Sequence, residues 1–178
     1  MLKTRKGSTS MSSIRIEALS SASGAAAVEA GRTLLLEYGR FVLETEGPAR
    51  FCFGKLEDEV AGLPDGFAAQ RGELLLAWVD DVAAGCVTYR ELAPESDGCE
   101  MKRLWVRPEF RGLGLGELLV EALLERARDA GFTAVCLDTV PANMGSAYRM
   151  YLRLGFAECA PYHSALMDGL MFMRRSLA

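Results

Sequence analysis

Glu-Met-Lys-Arg-Leu-Trp-Val-Arg-Pro-Glu-Phe-Arg-Gly-Leu-Gly-Leu-Gly, residues 100–116, decides the fold. It reads as a short strand, a proline stop, and a glycine-rich turn that opens directly into an amphipathic helix. Gly112, Gly114 and Gly116 leave the backbone N–H groups of the turn unshielded. The first N–H groups of a helix have no intrahelical partner, and the macrodipole makes that end partly positive. Such an end suits a phosphate or pyrophosphate. The spacing narrows the choice. A dinucleotide fingerprint needs Gly-x-Gly-x-x-Gly, and here Glu117 stands where the third glycine belongs. A Walker loop needs Gly-Lys-Ser/Thr, which is absent.

Arg111-Gly112-Leu113-Gly114-Leu115-Gly116 does fit Arg/Gln-x-x-Gly-x-Gly/Ala, placed after Leu-Trp-Val-Arg-Pro and before a helix. On these residues the sequence resembles the GNAT superfamily of N-acetyltransferases. A second match is Tyr151-Leu152-Arg153-Leu154-Gly155-Phe156, the Tyr-x-x-x-Gly-Phe ending of that superfamily, with Ala147 four residues before the tyrosine. The asparagine usual seven residues before the tyrosine is Met144 here, with Asn143 beside it.

The resemblance implies a GNAT fold: a mixed, mostly antiparallel central sheet with a parallel βαβ core and helices on both faces. It implies acetyl-CoA as acyl donor, its pyrophosphate on residues 111–116 with Asn143 nearby. The pantetheine arm would lie in a cleft lined by Leu104, Trp105 and Val106, where a bulge splays the central strand from its parallel neighbour. Tyr151 would protonate the leaving thiolate. Glu100, eleven residues before Arg111, stands at the offset of a general-base glutamate. The expected activity is direct transfer of an acetyl group to a primary amine. The same cleft could take a longer acyl-CoA, and a non-catalytic acyl-CoA-binding or regulatory module could keep the same fold.

The residues carry part of this reading by themselves. An amine with a lysine-like pKa of about 10.4 must lose a proton before it attacks, and a phenol near 10 can donate to a thiolate near 8.5. Strand alternation puts Glu100 on one face with Lys102, Leu104 and Val106. There it can act as a base or simply pair with a neighbouring Lys or Arg. Leu113 and Leu115 are left to pack.

The rest of the chain sets bounds. Its 178 residues suit one domain, residues 14–178, after a disordered tail over 1–13 that has basic and Ser/Thr-rich character but no apolar signal segment. Net charge is −4 without a basic run beyond that tail, so nucleic acid is not an expected partner. No apolar run reaches the length of a membrane span. Cys52, Cys86, Cys99, Cys136 and Cys159 are odd in number and widely spaced, which suits free thiols in the cytoplasm. With one histidine, His163, no metal site is expected; His163 reads as an exposed loop residue. The acceptor is a small molecule or protein amine, and a homodimer stays open.

In chain order, Ile14–Leu19 alternates as a strand. A helix follows with Ala27, Val28, Gly31, Leu34, Leu35, Tyr38, Phe41 and Val42 on one face, broken by Gly47-Pro48. A shorter helix spans about Phe53–Ala61, with Phe53, Leu56 and Val60 inward. Glu73–Val79 and Ala83–Leu92 form a hairpin around Asp80-Asp81. After the Glu100–Val106 strand, the helix Gly114–Ala130 should bury Leu115, Leu118, Leu119, Ala122 and Leu123, with Gly131 as its C′ residue. Phe132–Asp138 is a buried strand, and Asn143 caps a last helix to Leu154. Two β segments, about Ala157–Ala160 and Leu170–Arg174, close the chain, with Met167, Met171 and Met173 as core filling.

Overall fold

The computed structural model describes residues 12–47, 53–93, 97–164 and 168–177, and only the backbone of residues 46, 53 and 54. Residues 1–11, Pro48, Cys52 and Met167, and the side chain of Phe53, therefore lie outside the described structure. Among the described residues seven strands form one sheet: β1 (Ile14–Ala18), β2 (Glu73–Val79), β3 (Val82–Glu91), β4 (Gly98–Val106), β5 (Ala134–Thr139), β6 (Ala157–Glu158) and β7 (Met171–Ser176). Their spatial order is β1-β2-β3-β4-β5-β7-β6, and β4–β5 is the parallel pair. The four α-helices among the described residues are α1 (Ala25–Glu46), α2 (Phe53–Ala61), α3 (Leu115–Asp129) and α4 (Gly145–Arg153). The expected mixed sheet with a βαβ core is present, and none of these helices is long and apolar enough to cross a membrane.

Helices cover both faces, which is why β2 reads as a continuous apolar run. Leu74 and Leu76 pack with Leu34, Leu35 and Leu56 under α1 and α2, while Leu75 and Ala77 pack with Leu119 and Leu123 under α3. Gly31 lets α1 lie close: a Cβ there would sit 3.1 Å from Leu74 Cδ2. The β2–β3 turn takes its left-handed pair from Asp80 (φ 47°) and Asp81 (φ 63°), and aspartate tolerates that region better than most residues.

Helix α3 buries Leu115, Leu119, Val120, Leu123, Leu124 and Ala127. Leu118, expected inside, is 37% exposed: the buried stripe lies one position further round, through Val120 and Leu124. Helix α4 begins at Gly145 with Met144 in the N-cap position and no side-chain cap, so Asn143 does not cap it. Both α3 and α4 end in a left-handed glycine followed by a phenylalanine whose N–H reaches back into the last turn, Phe132 to the Ala127 carbonyl and Phe156 to that of Tyr151.

The decisive irregularity is in β4. Gly85 pairs with Val106 and Cys86 with Trp105, but Thr88 pairs with Lys102, so one extra residue is inserted opposite Val87. Arg103 takes it up with φ 59°. The insertion reverses the alternation. Leu104 and Val106 pack on the α3 side with Cys99 and Met101, whereas Trp105 joins the α1–α2 core. Glu100 and Lys102 therefore face α1 and α2, and the expectation that they share a face with Leu104 and Val106 is corrected.

A left-handed backbone costs a non-glycine residue about 1–2 kcal/mol, and here the side chain is tied down. Arg103 Nε and Nη2 donate to Glu59 of α2 at 2.9 and 3.2 Å, both side chains about nine-tenths buried, and the guanidinium lies over the Tyr38 ring. Arg103→Val and Arg103→Gly both delete this pair, but only valine also resists the backbone. Arg103→Val is expected to be the less stable of the two by at least about 1 kcal/mol in urea unfolding; equal midpoints would show that the bulge stores no strain.

Candidate active site

The parallel pair is short. Gly98, Cys99 and Glu100 pair with Ala134, Val135 and Cys136, after which β4 runs to Val106 and β5 to Thr139 with no further rung. The strands part where the bulge bends β4 away. Gly85 of β3 permits this, since a Cβ there would lie 2.6 Å from the Trp105 carbonyl oxygen. The Arg107 N–H turns to Ala84 O on β3. Alternation then directs the N–H and C=O of Val106 toward the gap. Arg111 Nε donates to that carbonyl at 3.2 Å, and its guanidinium rests 5.3 Å from the Trp105 ring centroid. The Arg111 side chain is thus folded back over the end of β4.

From α1, Glu37 fixes the far end of this strand. It accepts from the Trp105 indole at 3.1 Å and from Arg107 Nε and Nη2 at 2.9 and 2.8 Å, while Arg107 Nη1 donates to Ala83 O at 2.7 Å.

The glycine-rich turn follows a short 3-10 turn at Pro108–Phe110. Gly112 (φ 85°) and Gly114 (φ 77°) are left-handed. The Arg111 N–H is bonded to Pro108 O and the Leu118 N–H to Gly114 O. Between them the six amides of residues 112–117 find no protein acceptor among the described residues, and α3 has no side-chain cap. The first turn of α4 is alike: Tyr148 is the first to bond back, to Met144 O, and the amides of residues 145–147 find no protein acceptor among the described residues.

Both helix starts and the end of β4 border one cleft of about 740 Å³. Of the residues expected to hold a cofactor, Leu104, Trp105, Val106, Arg111, Gly112, Gly114, Leu115, Gly116 and Asn143 line it, and so does Tyr151. Leu113 does not. It is 49% exposed, so of the two leucines left to pack only Leu115 does so, against Val79 and Ala84. The α4 start, Gly145 and Ser146, was missed by sequence reasoning, which looked for an asparagine cap; its small residues were the available signal.

Tyr151 is 6% exposed and stacks edge-on against Phe156, ring centroids 5.8 Å apart. Burial raises its phenol above the ordinary range, with Tyr38 and then Asp138 adding to the rise. Its hydroxyl has no protein partner among the described residues and is not sealed from solvent, unlike the unpaired Trp78 Nε1. It therefore opens on the cleft.

Glu100 lies elsewhere, outside the cleft lining. It is buried, accepts from Arg90 Nε and Nη2 at 3.3 and 3.1 Å and from Tyr162 at 3.2 Å, and pairs with Lys102 Nζ at 3.0 Å. His163, expected to be exposed, is instead half-buried, its Nε2 2.9 Å from Asp138 Oδ2 and its ring packed between Tyr162 and Phe172. Cys86, Cys99 and Cys136 are buried free thiols, and burial pushes Cys99 up to about 12. None is placed as a nucleophile.

Comparison with known proteins agrees with this geometry. A model of the acetyltransferase (GNAT) family matches residues 29–156. An uncharacterised N-acetyltransferase of Schizosaccharomyces pombe is 33% identical over 127 residues, 71% of this chain and 77% of that protein. The chain belongs to the acetyltransferase (GNAT) family. It spans about half or less of the length of other curated N-acetyltransferases that it matches. A GNAT-family acetyltransferase structure from Staphylococcus aureus superposes with a TM-score of 0.71 at 17% identity, covering 93% of this chain and 100% of that one. A Salmonella typhimurium acetyltransferase structure, described with its cofactor acetyl-CoA, gives 0.67 at 18%, covering 93% and 94%.

Gly114 and Gly116 carry different demands. A Cβ at Gly114 meets open space but a left-handed backbone, so Gly114→Ala should cost about 1–2 kcal/mol. A Cβ at Gly116 meets only Met150 Sδ at 3.6 Å in a helical turn, so Gly116→Ala should stabilise by up to about 1 kcal/mol. Thermal unfolding of the two variants checks the order; the reverse order would contradict the loop conformation.

Proposed function

We propose that the chain is an acetyl-CoA-dependent N-acetyltransferase that passes the acetyl group directly to a primary amine. The observation that carries this reading is the run of open amides at residues 112–117, bordering the cleft on which Tyr151 opens. Those amides, with the N-termini of α3 and α4, form a seat for a pyrophosphate. The parted edge of β4 offers main-chain groups to the pantetheine arm, and the Val106 N–H is the donor placed to polarise a thioester carbonyl. A preorganised donor of this kind is worth about 2.7–4 kcal/mol of barrier.

In the transfer the amine nitrogen forms a bond to the acetyl carbon and the carbon–sulfur bond breaks. The departing thiolate takes a proton from Tyr151, whose burial keeps the phenol protonated. The amine's own proton leaves toward solvent, from which Tyr151 recovers the proton it gave. Glu100 is less suited to receive it, because Arg90 and Lys102 already hold its carboxylate. Among the described residues no side chain of the cleft is arranged as an acylated nucleophile, in keeping with direct transfer.

The test is thiol release from acetyl-CoA across an amine panel, with cofactor affinity measured separately. Gly114→Glu, which puts bulk and negative charge on the pyrophosphate seat, should abolish acetyl-CoA binding in a folded protein; retained affinity would move the seat. Tyr151→Phe should lower kcat at least about tenfold with little change in acetyl-CoA Kd, and wild-type turnover would remove Tyr151 from the mechanism. Binding of acetyl-CoA without turnover of any amine would point to a non-catalytic module.

A further inference from the structure

At the point where β4 and β5 separate, two charged side chains reach across the opening. Lys102 and Asp138 each stand two positions past the last rung, Glu100 with Cys136, on the face that carries α1 and α2. Lys102 Nζ lies 3.5 Å from Asp138 Oδ2, which also meets His163 Nε2 at 2.9 Å. Both bridging side chains remain about a quarter exposed, at 24% and 23%.

An ammonium carries three donors and a carboxylate two acceptor oxygens. Lys102 commits two donors, to Glu100 and Asp138, and Asp138 commits Oδ2. The third Lys102 donor and Asp138 Oδ1 have no protein partner among the described residues. The bridge therefore shows one open cationic donor beside one open anionic acceptor. Neither residue lines the cleft itself, but each is one residue from a side chain that touches its wall: the Arg103 guanidinium lies over the Tyr38 ring, the Thr139 hydroxyl donates to Met144 Sδ, and Tyr38 and Met144 both line the cleft.

Resting on the N-acetyltransferase reading above, we propose that Lys102 and Asp138 form the acceptor subsite and that the acceptor is an amino acid. Its ammonium binds Asp138 Oδ1 and its neighbouring carboxylate binds Lys102. An α-amino acid carries the two charges on adjacent carbons, which suits a donor and an acceptor held side by side. A polyamine would bring a further ammonium toward Lys102 and Arg90, and like charges so close cost affinity. A metal ion is a weaker fit: the ligand atoms of Glu100, Asp138 and His163 lie within 4.8 Å of one another, but the Lys102 ammonium already sits between the two carboxylates.

The experiment compares free amino acids, their carboxamides and polyamines as acceptors, with acetyl-CoA Kd measured by calorimetry on the same protein. Free amino acids should be turned over with kcat/KM at least tenfold above their carboxamides and above polyamines. Lys102→Met should raise the amino-acid KM and erase the preference for the acid over the amide, leaving acetyl-CoA Kd unchanged. Lys102→Arg should restore that preference, and Asp138→Asn should raise KM for acid and amide alike. Carboxamides or polyamines used as well as free amino acids would overturn the subsite, as would a Lys102→Met enzyme that keeps the wild-type acid-to-amide ratio. Wild-type protein that binds acetyl-CoA but acetylates no amino acid would overturn the subsite alone, whereas failure to bind acetyl-CoA would overturn the N-acetyltransferase reading.

Discussion

A single inserted residue in β4 governs the architecture of the site. With Arg103 in a left-handed conformation, β4 keeps its pairing with β3 on both sides of the bulge but leaves β5 after Glu100. The gap, the outward-turned main chain of Val106 and the reversed alternation all follow from it. Without the insertion Leu104 would face α1 and α2, and β4 could continue beside β5 as an ordinary parallel strand. The cleft is thus a defect in pairing, stabilised locally and put to use.

That stabilisation comes from the α1–α2 layer. Glu59 on α2 holds the Arg103 guanidinium at the bulge, and Glu37 on α1 holds Trp105 and Arg107 at the strand end. Buried ion pairs give little net stability, because desolvating both charges offsets most of their attraction. Their value here is geometric. Each carboxylate accepts bonds that a hydrophobic replacement could not direct, and together they set where β4 points after it leaves the sheet. The helices on one face consequently control a cleft whose other walls, α3 and α4, stand on the opposite face.

How much of this could be read in advance depends on the range of the interaction. Residues 111–116 were legible because the turn, its left-handed glycines and the helix start are one local unit. The Tyr151–Phe156 motif was legible for the same reason, and it has a physical meaning: the Gly155 and Phe156 amides close the helix by bonding back to the carbonyls of Leu152 and Tyr151. The bulge was legible only through resemblance, since nothing in Lys102-Arg103-Leu104 announces a left-handed arginine; the guanidinium's partner is forty-four residues away. The strand face that Glu100 shares and the burial of His163 were missed likewise. One needs Arg90 and Tyr162 to be understood, the other Asp138, and strand alternation contains no information about such distant partners. Leu118 was misplaced by one step of the helical wheel, because Val120 and Leu124 compete with it for the same stripe.

The closure of α4 has an implication for how the site can change. Tyr151 is the residue whose carbonyl receives the Phe156 amide, so the stop and the phenol belong to a single turn. Successive residues of a helix are rotated by about 100°. Adding or deleting one residue between 151 and 155 would therefore swing the hydroxyl off the cavity wall even if the helix survived intact. The spacing acts as a ruler, measuring the phenol's bearing from the helix terminus in whole residues, and length variation in this family should fall in loops outside that interval.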